Sequence, residues 1–551
     1  MGWMFHDIQN RSYVDIRGGF RWNIPEAFNM GTACADHQDP SATALLSVRP
    51  GEDHQKVSFG ELTRCSDALA NVLRAAGIRR GDRVGIVLPQ TLEAGLSYLA
   101  AFKLGAVAVP ISVLFGVEAL AYRLANSRAR ALITDPSGAA KVEAIGSDLP
   151  DLRLLLVTGE TRSQPGRLET ASFDEAVGSA SSELSPASTA SEDPALLIYT
   201  SGTTGPPKGA LHAHRFLFGS FPAVELAHWP LATEGGLFWT PADWAWVAAL
   251  MDVVLPAWFF GLPVLATQRG KFDPEWAFSV IGRHRVANAY LPPTALRMMR
   301  LVDDPSPTES LRSVMTGGET LGAELLEWGR EALGVTIEET YGQTEANLTV
   351  GNASTFWPVR PGSMGRPYPG HDVRVERDDG SEADPGELGE VVVRPPDPAM
   401  FLGYLEAPEE ATASDRPNAL RSGDLVHRDE DGYLWFRGRR DDLINSAGYR
   451  IGPVEIEQCL ARHPAVALAG VIGVPDPERG EVIKAFVVPR RMEADRSELE
   501  DDLRRFVRER LGGHQYPRKF EFVAELPVTT SGKIRRRELR EREAERRVEG
   551  S

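Results

Sequence analysis

The densest cluster of chemistry-bearing residues runs from Tyr199 to Gly209 and reads YTSGTTGPPKG. Thr200, Ser201, Thr203 and Thr204, with Gly202 and Gly205 among them, make a loop rich in O–H and N–H donors. Glycine lets main chain approach an anion closely, and Lys208 adds a point charge, so the loop suits a phosphate. It is not a Walker A loop, which needs GxxxxGK[ST]; Lys208 stands three residues after Gly205 and precedes Gly209. A flexible linker would hardly follow the apolar run ALLI so tightly.

Four other segments carry related chemistry. ETYGQTEAN, Glu339–Asn347, offers Thr344 as a phosphate donor and Glu345 as a hard oxygen ligand suited to Mg²⁺. In SGDL, Asp424 follows a tight turn, where a carboxylate can accept both hydroxyls of a ribose. GRRDDLINSAGYR occupies Gly438–Arg450, and PVTTSGKIRRREL places Lys533 after Gly532 in a turn before a helix.

The elements that must position these loops alternate. Helix-like FGELTRCSDALANVLRAAG, Phe59–Gly77, precedes strand-like RVGIVLP; a second helical pattern leads to AVAVPIS, and a third to ALITD. Strands separated by helices of this length predict parallel β-α units. The alternation resumes from Pro194 with ALLIYT, PVLAT, ANAYLPP, SVMTGG and VTIEETYG, each ending in a Gly- or Pro-containing loop where open α/β sheets place ligands. Residues 171–193 read as a surface connection. Residues 360–437, with close turn signals DDG, DPG and DEDG, predict a small, largely antiparallel β unit. The expected fold class is α/β: a large N-terminal domain (1–440, with α/β subdomains at about 30–190 and 191–355 and a β subdomain at 356–437) and a smaller, mobile C-terminal α/β lid (441–551).

Five such segments in this order are far more specific than any one. On them the sequence resembles the adenylate-forming superfamily of acyl-CoA synthetases, luciferases and peptide-synthetase adenylation domains, from about residue 30 to residue 545. The loop YTSGTTGPPKG matches the signature of that superfamily without a departure. YGQTE, WTPADWAWV (Trp239–Val247) and GRRDDLINSAGYRIGPVEIE look most like the medium-chain acyl-CoA synthetase branch, with acetyl-CoA synthetases close by.

The resemblance implies an AMP-forming acyl-CoA ligase that adenylates a carboxylic acid with ATP and Mg²⁺ and passes the acyl group to CoA. It implies that Thr200, Ser201, Gly202, Thr203, Thr204, Gly205 and Lys208 wrap the β- and γ-phosphates. Gly317, Gly318 and Glu319 would lie near the adenine, bordered by Glu339, Thr340, Tyr341, Gly342 and Gln343. Thr344 would hold the α-phosphate, Glu345 would bind Mg²⁺, and Asp424 with Arg439 would grip the ribose. Asp441 would be the hinge. Lys533 would bridge carboxylate and α-phosphate in one conformation, and Arg450 would meet a phosphate of nucleotide or CoA in the other. Ala447, Gly448 and Tyr449 would line the pantetheine channel; because CoA carries its own phosphates, Arg479, Tyr516 and either Arg518 or Lys519 are candidates to face it. Attack of a carboxylate on a phosphate joins two anions, so cations belong where charge accumulates. Two half-reactions at one place call for a rotating lid.

For the acyl pocket the resemblance points to Trp246 as gate, with Val247 and Ala248 on the wall. Acetyl-CoA synthetases carry Trp at the position of Gly342 and Val at that of Gly317, so both glycines imply a pocket deeper than acetate needs. A medium-chain, branched or aromatic acid is expected. Ala346 and Asn347 depart from the YGQTETG of the branch and are expected along that pocket.

Composition bounds these readings. The 551 residues are 42% hydrophobic and 25% charged, globular proportions for three or four domain-sized units. With 60 Lys and Arg against 77 Asp and Glu, the net charge of −17 argues against a general nucleic-acid or anionic-lipid binder but not against a local basic cleft. Cys34, Cys65 and Cys459 form no CxxC pair and are expected to be buried and inert. The first twenty residues show no basic-then-apolar pattern, so no signal peptide is expected. Trp244–Ala266 has the length of a membrane span, but Asp252, Pro256 and Pro263 interrupt it, and a buried helix-turn-strand is expected. The expected setting is cytoplasmic and reduced, with homo-oligomerisation left open. Two competing readings are a carrier-protein or amine acceptor in place of CoA, and a non-enzymatic nucleotide sensor. The CoA-directed arginines oppose the first; Lys208, Glu345, Asp424 and Lys533 together oppose the second.

Overall fold

The computed structural model describes residues 4–5, 8–48, 55–145, 148–159, 161, 168–200, 206–268, 272–303, 305–405, 419–446, 449–476, 480–490, 496–511, 516–529 and 533–549. The chain forms two compact units: Met1–Pro361 with Gly365–Val373 and Val393–Leu420, and Gly362–Met364 with Arg374–Val392 and Arg421–Ser551.

The first unit holds two large sheets. One has eight strands, ordered Gly403–Tyr404, Lys208–Ala213, Pro194–Thr200, Val107–Pro110, Arg83–Val87, Ala131–Thr134, Leu154–Val157, Glu169–Ser172. Its β-α alternation follows the sequence. The helix Phe59–Ala75 is opened by a capping box between Ser58 and Glu61 and buries Leu62, Leu69 and Leu73 on one face. The next, Leu92–Lys103, is buried almost all round. Its terminal Lys103 is tolerated there because Asp36 and Asp67 pair with its ammonium at 2.5 and 2.7 Å. Val87, Val107, Val109, Leu132 and Leu155 pack one side of this sheet.

The second sheet has nine strands, ordered Arg366–Pro367, Asn347–Gly351, Ile337–Gln343, Ser313–Gly317, Asn288–Tyr290, Phe238–Trp239, Val264–Thr267, Thr43–Val48, Gln55–Ser58. Five pairings of the two sheets are antiparallel and depart from the parallel expectation, and two of them are hairpins at candidate loops. Lys208–Ala213 folds back antiparallel on Pro194–Thr200, with Leu197 opposite Leu211. Asn347–Gly351 folds back on Ile337–Gln343, with Gln343 opposite Asn347. Short connections permit hairpins, whereas parallel crossovers need a helix.

Two smaller expectations need correction, and a third gains detail. Part of the presumed surface connection is structured: Glu169–Ser172 adds an edge strand and Phe173–Ser179 a helix capped by Ser172. Cys65 is half-buried, unlike Cys34 and Cys459. Trp244–Ala266 is buried as expected, but it is built from short helical pieces around a π-helical turn, Leu250–Val254, before the strand Val264–Thr267. No helix among the described residues is long and apolar enough to cross a membrane.

The second unit contains most of a four-stranded sheet, ordered Asp372–Glu376, Leu388–Arg394, Leu420–Arg428, Leu434–Arg439. It also holds a five-stranded sheet made by Tyr449–Ile451, Ile444–Ser446, Gly480–Pro489, Val466–Asp476 and Lys519–Phe522. Helices Pro453–Ala461 and Arg496–Leu511 cover the latter through Ile456, Leu460, Leu499, Leu503 and Val507. The charged C-terminal run forms the helix Arg536–Glu549.

Candidate active site

In the first unit, Thr200 ends its strand and Lys208 begins the next, so the phosphate-suited loop is a strand connection in a hairpin. Ser201, Gly202, Thr203, Thr204 and Gly205 lie outside the described residues. The hydroxyl of Thr200 donates to the carbonyl of Lys208 at 3.4 Å. Tyr122 anchors the returning arm by donating to the Pro207 carbonyl at 2.9 Å. Lys208 is exposed, its ammonium 5.2 Å from the ring centre of Tyr404. The hydroxyl of that tyrosine donates to Oε1 of Glu345 at 2.6 Å. Tyr404 therefore brings the loop lysine and the candidate metal ligand to one place. Tyr404 has no signal in the sequence: FLGYLEAP carries no local pattern, and its role arises because Gly403–Tyr404 pairs with Leu211 and Ala210 of the strand begun by Lys208.

Thr344, Glu345 and Ala346 form the turn of the second hairpin. The turn is held by the Ala346 N–H on the Gln343 carbonyl at 3.1 Å and the Phe401 N–H on the Glu345 carbonyl at 2.8 Å. Thr344 and Glu345 are half-buried, as are Tyr341, Gly342 and Gln343. Ala346 and Asn347, expected along the acyl pocket, are buried at 1% and 2% exposure. The Asn347 amide donates to Asp252 at 2.8 Å.

The adenine-side candidates occupy adjacent strand ends. Gly317 closes one strand and Gly318 takes φ +91°, a left-handed conformation that glycine accepts freely. Oε2 of Glu319 pairs with Arg297 at 2.8 Å, and Oε1 is buried. Glu339 accepts from the Leu321 N–H at 3.2 Å, and burial pushes its carboxyl up to about 8. Thr340 donates to the Thr316 carbonyl at 2.8 Å. A Cβ on Gly342 would stand 1.7 Å from the Asn347 carbonyl oxygen, and one on Gly317 would stand 2.7 Å from the Thr340 oxygens. Both glycines thus answer to main-chain packing first, and room for an acyl chain is not their only reason.

Trp246, Val247 and Ala248 are half-buried at the start of the helical stretch. The Trp246 ring meets Phe115 edge-on at 6.2 Å; the Arg123 guanidinium lies 3.9 Å from the Phe115 ring centre and 5.6 Å from that of Tyr199. A contiguous stack thus runs from the candidate gate to the residue that opens the phosphate loop.

In the second unit Asp424 stands directly across the sheet from Arg439, which pairs with it at 3.4 Å and with Asp441 at 3.9 Å. Asp441 is exposed in the 3₁₀ turn Arg440–Asp442. Its neighbour Asp442 is held by Arg536 at 3.1 Å and Arg540 at 2.8 Å, and Arg536 also binds Glu457 at 2.6 Å. Lys533, three residues before Arg536, is exposed, and its N–H donates to the Thr529 hydroxyl at 3.0 Å. Ala447, Gly448 and Arg479 fall outside the described residues. Tyr449 and Arg450 lie on the strand Tyr449–Ile451. Arg518 is exposed, its guanidinium 5.0 Å from the half-buried Tyr516 ring, and Lys519 opens the strand Lys519–Phe522.

Among the described residues no three His, Cys, Asp or Glu side chains gather to hold a metal. One carboxylate with neighbouring hydroxyls does suit Mg²⁺, which binds through one or two carboxylates plus substrate phosphates.

Two β-α sheets thus present, at their hairpin loops, a lysine and a carboxylate around one tyrosine, an arrangement suited to an enzyme that activates its substrate with a nucleotide's phosphates. The chain belongs to the AMP-binding enzyme family: the family model matches residues 33–405, and that of the AMP-binding enzyme C-terminal domain matches 455–533. The chain is 38% identical to the human mitochondrial acyl-coenzyme A synthetase ACSM5 over 536 residues, covering 94% of this chain and 91% of the relative. Among solved structures, the anthranilate CoA ligase AuaEII in complex with anthranoyl-AMP matches with a TM-score of 0.84 at 29% identity, over 94% of this chain and 98% of that one. An acyl-CoA synthetase of Brucella canis matches with a TM-score of 0.73 at 32% identity, over 97% and 99%.

Proposed function

We propose that this protein is an AMP-forming acyl-CoA ligase that adenylates a medium-chain, branched or aromatic carboxylate and transfers it to the thiol of CoA. The observation that carries the reading is the grouping of Lys208, Tyr404 and Glu345 at the mouths of two hairpins, in a chain whose similar proteins are acyl-CoA synthetases and CoA ligases.

In this reading Lys208 and the loop before it hold the outer phosphates, and Thr344 donates to the α-phosphate. Glu345 holds Mg²⁺, which when bound neutralises phosphate charge. Asp424 accepts from the ribose hydroxyls while Arg439 keeps its carboxylate oriented. Lys533 places its ammonium between the substrate carboxylate and the α-phosphate. A well-placed cation of this kind is worth about 3–4 kcal/mol where charge develops in the transition state. Turning about Asp441 then exchanges Lys533 for the segment around Gly448 and Arg450, with Arg479, Arg518 and Lys519 toward the CoA phosphates. The half-exposed wall Trp246–Ala248 supports an acid larger than acetate, each buried methylene adding about 0.8 kcal/mol.

The test is CoA-dependent AMP release measured with acetate, butyrate, hexanoate, octanoate and benzoate. Higher kcat/KM for one of the larger acids is expected. Preference for acetate would overturn the acyl class, and pyrophosphate exchange without CoA-dependent AMP release would overturn CoA as acceptor.

A further inference from the structure

Asp252 takes no part in the chemistry above, yet it is a carboxyl buried to 0% exposure within a π-helical turn. Such turns insert one extra residue into a helix and recur at functional positions. Its neighbours Leu250, Met251, Val253 and Val254 are apolar and fully buried, so a carboxyl here costs stability that an aliphatic side chain would not. Burial drives the Asp252 carboxyl well above the usual carboxylate range, against the opposing effect of its bond from Asn347. As a neutral acid it keeps an acceptor for that bond.

What the carboxyl adds is one directional contact, 2.8 Å from Asp252 Oδ1 to the Asn347 amide; Oδ2 is buried without a hydrogen-bond partner among the described residues. Asn347 is the first residue after the Thr344–Glu345–Ala346 turn and closes it by pairing with Gln343. It sits at φ +46°, a left-handed conformation that Asn tolerates better than most residues. Its carbonyl oxygen fills the space beside Gly342. Side chain and main chain of Asn347 therefore tie the turn to two different elements, and the side-chain tie ends at Asp252.

We propose that Asp252 is a positioning residue: through Asn347 it holds the turn that presents the Thr344 hydroxyl and the Glu345 carboxylate to magnesium-bound ATP. This rests on the ligase reading above. It assigns a use to the Asn347 departure noted in the sequence, as an anchor of the nucleotide-binding turn and not as a lining of the acyl pocket.

The experiment compares wild type, Asp252→Leu, Asp252→Asn and Asn347→Gly in CoA-dependent AMP release, varying ATP, Mg²⁺, acid and CoA in turn, with thermal unfolding alongside. Asp252→Leu should raise the KM for ATP and the Mg²⁺ requirement about tenfold, the scale expected when a buried amide loses its partner, while the KM values for acid and CoA stay within about twofold. Asp252→Asn keeps the acceptor and should return the ATP constants toward wild type. Asn347→Gly accepts the positive φ and removes the amide, so it should reproduce the Asp252→Leu effect even if the latter fails to fold. The double variant Asp252→Leu/Asn347→Gly should be no worse than either single one. Unchanged ATP constants in both single variants, or a rise shared equally by ATP, acid and CoA, would overturn the inference alone. Absence of AMP release from wild type with every acid would remove the ligase reading and this inference together.

Discussion

The hydroxyl of Tyr404 donates to Glu345 at 2.6 Å while the ammonium of Lys208 stands 5.2 Å from the centre of the same ring. One neutral side chain therefore serves both a cation and an anion, each remaining available to a ligand. Tyr404→Phe keeps the ring beside Lys208 and removes only the donor to Glu345. A hydrogen bond to a charged group is worth about 1.5–3 kcal/mol, so kcat/KM for ATP should fall roughly tenfold or more, with the KM for the acid nearly unchanged. Tyr404→Ala should cost more, since the ring is lost too. Initial rates at varied ATP and Mg²⁺ check this, and a Phe variant equal to wild type would refute the arrangement.

Gly342 offers a second prediction, one that separates pocket depth from packing. Because a Cβ there would stand 1.7 Å from the Asn347 carbonyl oxygen, Gly342→Ala must displace main chain. Overpacking of this kind typically costs about 1–3 kcal/mol. The variant should unfold at lower temperature and lose activity toward every acid in the panel, leaving the order of preference intact. Retained stability with a selective loss of the longest acids would mean that the glycine acts chiefly as space for substrate.

The β-α alternation was legible because Leu62, Leu69 and Leu73 recur on one helix face and apolar runs such as RVGIV fill strands. The loop residues were legible because glycines, hydroxyls and lysines close in sequence need no fold to be associated. Tyr404 was not, since it reaches Lys208 only through pairing of Gly403–Tyr404 with Leu211 and Ala210. Asp252 read as an interruption in an apolar stretch, because its partner Asn347 lies 95 residues away. The crowding at Gly342 follows from a bulge in one hairpin, which no spacing rule reports.

The buried carboxyls predict an alkaline loss of stability. Burial pushes Glu339 up to about 8, and Glu225 likewise to about 8. A carboxyl with a raised folded-state value holds a proton that the unfolded chain gives up near the ordinary glutamate value of 4.5. Its contribution is thus full below that pH and is lost as pH rises through about 8. His212 and His228, held down to about 3 by burial, act oppositely and favour the folded state as pH rises through 6.5. Above that pH the carboxyls act alone, each lowering stability by about 1.4 kcal/mol per pH unit until it titrates. Glu339→Gln keeps an acceptor for the Leu321 N–H and should flatten the decline in unfolding midpoint between neutral and mildly alkaline pH. An identical slope in the variant would show that Glu339 is ionised in the folded protein.

Lys533 and Arg536 should separate in their effects although only three residues apart. Lys533 is exposed on a loop closed by the Thr529 N–H on its carbonyl at 2.7 Å and by a bridge between Val528 and Ile534. Removing its ammonium leaves that loop's bonds in place. Lys533→Ala should therefore keep the unfolding midpoint and slow adenylation by about 10²–10³, while thioester formation from preformed acyl-adenylate stays near wild type. Arg536 is largely buried between Asp442 and Glu457, and its loss would leave Glu457 without its cation and Asp442 with Arg540 alone, at a cost of about 1.5–3 kcal/mol. Because Asp442 follows the candidate hinge Asp441 and Arg536 follows Lys533, Arg536→Ala should loosen both and depress the two half-reactions together. Single-turnover assays of each half-reaction, with hydrogen exchange along Arg536–Glu549, distinguish the two residues. Equal loss of both half-reactions in Lys533→Ala would contradict the role assigned to its ammonium.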